Sequence, residues 1–73
     1  MEFGRAVKIM RIARGLTQTE LAEYVGSSQR IISFIETGLV RPTEETAAKI
    51  QQVLGFSEAS DEALEMLLKK EGP

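Results

Sequence analysis

One glycine, Gly26, separates two short amphipathic segments, and this spacing constrains the chain more than any other feature. Before it, Leu21, Ala22 and Val25 stand at i, i+1 and i+4, which is one face of a helix. Thr17 is placed to cap that helix, and Glu20 three residues on completes a capping box. A helix that stops and turns sharply needs a left-handed residue, which glycine supplies without a Cβ penalty. Ser28 then caps a second helix. In it Ile32 and Ile35 stand at i and i+3 and face the first helix, while Gln29, Arg30 and Ser33 fall on the other side. Gly38 closes it. Ala22 lies where the two helices cross, and only a small side chain lets them approach closely. The pattern is that of two helices joined by a tight turn.

The same punctuation repeats along the chain. Residues 3–14 form a first helix, with Phe3, Ala6, Val7 and Met10 inward and Ile9, Ile12 and Ala13 widening the apolar face. Gly15 ends it. Arg5, Lys8, Arg11 and Arg14 recur at spacings of three and form a basic row, whose plain reading is a solvated face. After the loop from Thr37 to Pro42, Thr43 caps a fourth helix, and Glu44 and Glu45 in its first turn suit the helix dipole. Ala47, Ile50, Val53 and Leu54 mark its core face, and Gly55 ends it. Leu39 and Val40 are either tucked under the loop or part of a dimer contact. A last helix spans about 58–70, starting at Ser57 or Ser60, with Ala63, Leu64, Leu67 and Leu68 as its stripe and Met66 beside them. The fold class is all-α with five helices.

Seventy-three residues make one domain, residues 1–73, with its core at 5–57. So short a chain buries a modest core, and dimerisation would add to it. There is no cysteine and no histidine. Disulfides, most zinc sites and any Ser-His or Cys-His nucleophile are thereby excluded. No metal, no cofactor and no enzymatic activity are expected. No apolar run approaches the roughly 20 residues of a membrane span, and a cytoplasmic setting fits. The net charge of −2 is unevenly spread. Residues 1–42 hold six Lys/Arg against four Asp/Glu, and residues 43–73 hold three against seven. The basic half carries the two-helix unit and the acidic tail has to point away from phosphate, so any affinity for phosphate is modest and salt-sensitive.

The residues Arg14-Gly15-Leu16-Thr17-Gln18, Glu20-Leu21-Ala22, Val25-Gly26, Ser28, Ile32, Ile35-Glu36 and Gly38, then Pro42 and Leu54-Gly55, stand in one register. Together they resemble the helix-turn-helix of the phage repressor/Cro family, also called the XRE family. The resemblance covers roughly residues 5–57. It implies a five-helix repressor-like domain with a recognition helix at 28–36 in the major groove of double-stranded DNA. It implies a transcriptional regulator, a repressor by preference, working as a homodimer. Ser27, where the family is usually apolar, and Glu44, where it often has leucine, depart from the pattern. Phe34 and Ile31 stand at outward positions that are usually polar.

A recognition helix enters the groove with its N-terminal residues foremost. Gln29 is then at the base edges, where an amide matches adenine N6 and N7. Arg30 follows, with a fork that matches guanine O6 and N7 or falls back on a phosphate. Ser33 lies one turn on, and Phe34 is placed for a thymine methyl. By the resemblance Gln18 contacts a phosphate, helped by the free N–H groups at its helix start. Ser28, Arg41 and Thr43 are further phosphate candidates. The resemblance also pairs Arg11 with Glu36 in a structural ion pair. The alternative reading for each groove residue is an ordinary exposed helix position. A second class of function is an antitoxin or adaptor module, with Ile31, Phe34, Leu39 or the last helix binding a protein.

Overall fold

Hydroxyl side chains start three helices of the fold. The computed structural model describes residues 2–56. Within them lie α1 (Phe3–Ala13), α2 (Gln18–Val25), α3 (Gln29–Thr37) and α4 (Glu44–Leu54). Thr17 Oγ1 accepts the Glu20 N–H at 3.0 Å, and Glu20 Oε1 accepts the Thr17 N–H at 2.9 Å. Ser28 Oγ accepts from the Ile31 N–H, and Thr43 Oγ1 from the Thr46 N–H, both at 3.2 Å. Each cap satisfies a backbone donor that the helix itself leaves free. Glu2, which precedes α1, makes no side-chain cap bond, so α1 relies on packing.

The described residues form an all-α fold of four helices. The fifth helix expected at about 58–70, and its start at Ser57 or Ser60, lie outside the described residues. α3 packs on both α1 and α2, and α4 packs on the same two helices. Ala6, Val7, Leu21, Ala22, Val25, Ile32, Ile35, Ile50, Leu54 and Phe56 are buried at the centre. Phe56 stands beyond the last expected core position, yet its ring lies 5.9 Å from that of Phe3. Such tilted pairs add to the apolar burial of each ring. Ile12 departs from expectation, being 58% exposed. It sits two residues past Met10, roughly 200° around the helix from the inward line.

Gly26 and Gly4 are required by geometry for different reasons. Gly26 has φ +70, and the Ser27 N–H bonds the Ala22 carbonyl at 2.8 Å, which closes α2 and sets the turn. Gly4 lies inside α1, and a Cβ there would stand 2.0 Å from the Ile35 carbonyl oxygen. The close crossing expected at Ala22 therefore has a second counterpart, where α1 rests on the backbone of α3.

Candidate nucleic-acid interface

The turn brings the N-termini of α2 and α3 side by side, and a line of hydrogen bonds runs across them. It begins in the core. Arg11 Nε donates to Glu36 Oε2 at 2.6 Å, and Arg11 Nη2 donates to Glu36 Oε1 at 3.1 Å. The third arm, Nη1, donates to the Leu16 carbonyl at 2.8 Å. A planar guanidinium meets a carboxylate with two bonds, which lysine cannot do. The Glu36 side chain is only 2% exposed. A charge so placed costs free energy unless paired and hydrogen-bonded.

Gln18 supplies the next link. Its Nε2 donates to Glu36 Oε1 at 3.0 Å. A carboxylate only accepts, so Gln18 must turn its NH2 group inward and its carbonyl outward. Gln29 Nε2 then donates to Gln18 Oε1 at 2.7 Å. Gln29 is exposed, and Gln18 half-buried. The charge on Glu36 thus fixes the polarity of two successive amides. At the outer end Gln29 retains one N–H donor and its carbonyl acceptor. That pair complements the N7 acceptor and N6 donor of adenine. Gln18 retains one N–H donor.

Arg30 and Phe34 form a second group, one helical turn apart on α3. The Arg30 Cζ lies 5.4 Å from the Phe34 ring centroid, within cation–π range. Arg30 is exposed, and Phe34 and Ser33 are half-buried. Ser28 is spent as an acceptor in its cap, which leaves its O–H free to donate. Thr43 both caps α4 and donates to Thr46 Oγ1 at 3.1 Å, so its hydroxyl proton is already engaged. Arg41 is exposed in the loop before α4. Among the described residues, no hydrogen bond joins Arg41 or Thr43 to the Gln18–Gln29 line.

The links Gln18–Glu36 and Gln18–Gln29 and the Leu16 carbonyl were not expected from sequence. The signal available was a glutamine at the first position of each of two adjoining helices. Spacing alone gives no donor or acceptor direction.

The sequence model of a helix-turn-helix family matches residues 7–60. The chain belongs to the XRE-family helix-turn-helix proteins. That family is one of DNA-binding, non-enzymatic regulatory domains. The helix-turn-helix domain is also similar to a protein of Yarrowia lipolytica (strain CLIB 122 / E 150) named multi-protein-binding factor 1. The two are 33% identical over 53 residues, which is 73% of this chain and 35% of that protein. The chain thus spans about a third of the length of this relative. No solved structure matches the helix-turn-helix chain. Among the described residues, no helix is long and apolar enough to cross a membrane.

Proposed function

We propose that the chain regulates transcription by reading a specific double-stranded DNA site with α3 in the major groove. The observation that carries this reading is the line Arg11–Glu36–Gln18–Gln29, which ends in an exposed amide of fixed polarity. A hydrogen-bonding group held in one orientation loses less freedom on binding. Gln29 reads adenine, Arg30 reads guanine, and Gln18 holds both Gln29 and a phosphate. Ser28 and Arg41 add backbone contacts, which position the domain without carrying sequence information. The domain acts as a homodimer on two half-sites about 34 Å apart, and represses by occupying them. The test is selection of bound duplexes from a random pool. Enrichment of a two-fold symmetric site supports the reading, and a pool that stays random contradicts it.

A second reading, an adaptor domain for protein partners, is favoured by two observations. The similar Yarrowia protein is named for multi-protein binding. Tyr24 and Leu39 are 67% and 72% exposed on a chain of sequence pI about 5.1. Salt-dependent binding of the pure chain to DNA separates the two readings.

A further inference from the structure

The outward face of α3 is chemically unusual at one place. A guanidinium lies over an aromatic ring, 5.4 Å from its centroid, one helical turn apart. Ile31, beside Arg30, is 38% exposed. The half-buried Phe34 ring and the exposed Ile31 side chain add nothing to phosphate binding. They have one kind of counterpart in the major groove, the 5-methyl group of a pyrimidine. Resting on Phe34 limits the positions open to the Arg30 fork, and a preorganised fork loses less freedom when it meets a base.

The spacing fits two neighbouring base pairs. One helical turn advances about 5.4 Å, and successive base pairs lie about 3.4 Å apart. Two side chains one turn apart, leaning on each other, therefore reach adjacent steps rather than the same one. We infer that Arg30 and Phe34 act as one reading unit for a guanine flanked by a 5-methylpyrimidine. This rests on the major-groove reading of α3 and adds the chemistry of the recognised step. Arg30 takes guanine O6 and N7, and the Phe34 ring packs on the neighbouring methyl. The methyl belongs to thymine or to 5-methylcytosine, so the same unit makes binding sensitive to cytosine methylation at that step.

The test changes the DNA and leaves the protein intact. Each thymine of a selected site is replaced in turn by uracil, which removes only the methyl. One replacement, next to the guanine whose preference is lost in Arg30→Ala, weakens binding about four-fold, the worth of one buried methyl. With Phe34→Ala that replacement has no effect, while thymines elsewhere behave as before. At the same step cytosine binds more weakly than thymine, and 5-methylcytosine regains about four-fold over cytosine. Uracil tolerated at every position, with guanine still lost in Arg30→Ala, overturns the inference and leaves DNA reading intact. A pool from which no site is selected overturns both. If Phe34→Ala fails to fold, the uracil and 5-methylcytosine series on the unaltered chain decides alone.

Discussion

Gln29 donates its side-chain N–H to the Gln18 carbonyl at 2.7 Å, across the turn that joins two helices. The base-reading and phosphate-holding residues of the proposed interface are thus one hydrogen-bonded unit. The unit is anchored on a buried carboxylate, because Gln18 also donates to Glu36. From sequence, loss of Gln18 is expected to weaken all DNA sequences about equally. With the bond to Gln29 in view, it should also blur the preference at the base that Gln29 reads.

Gln18→Ala and Gln29→Ala, alone and together, should therefore be non-additive. Residues in contact typically show coupling of about 0.5–3 kcal/mol. Binding of the three variants to the selected site and to its single-base changes checks this. Gln18→Ala should barely change the salt slope, because glutamine is neutral and displaces no counterion. Additive losses would mean that each amide acts independently.

Arg11→Ala should destabilise the domain by roughly 3–5 kcal/mol, the usual cost of stranding one member of a buried pair. Arg11→Lys should recover only part, since an ammonium cannot meet both Glu36 oxygens and the Leu16 carbonyl in one plane. Urea unfolding midpoints give the order wild type, lysine, alanine. Equal midpoints for wild type and alanine would show that the pair contributes nothing.

Gly4→Ala and Gly26→Ala should fail for different reasons. At Gly4 the added methyl meets the Ile35 carbonyl, and such overpacking costs about 1–3 kcal/mol. At Gly26 nothing lies within 4 Å, and the cost is the left-handed backbone, about 1–2 kcal/mol. Gly26→Asn should restore much of the loss, because asparagine visits that region more readily. A Gly4→Ala chain as stable as wild type would contradict the close crossing of α1 and α3.

Arg30→Ala should cost about 1–3 kcal/mol on the preferred site and relax the preference at one base pair. Affinity for the full set of single-base variants measures it. A uniform loss with preferences preserved would make Arg30 a phosphate contact.

Much of the fold is legible in the residues themselves. Thr17, Ser28 and Thr43 announce helix starts, and Gly26, Gly38 and Gly55 announce helix ends, because capping is local chemistry. The inward isoleucines of α3 follow from spacing alone. Gly4 was not legible, since nothing nearby in sequence says that another helix's backbone passes there. Phe56 follows a helix-ending glycine, and its burial depends on where Phe3 lies, more than fifty positions away. That Gln29 and Arg30 face away from the core was legible from the spacing of Ile32 and Ile35. The order of the hydrogen bonds from Gln18 to Gln29 was not, because direction comes from Glu36, brought beside Gln18 only by folding.

The central claim, that α3 reads DNA in the major groove, is met most directly by dimethyl sulfate protection on the selected site. The reagent methylates guanine N7, which lies in that groove. The expected result is one protected guanine in each half-site with the unaltered chain, and loss of that protection with Arg30→Ala. Full binding with every guanine N7 still reactive would contradict the claim.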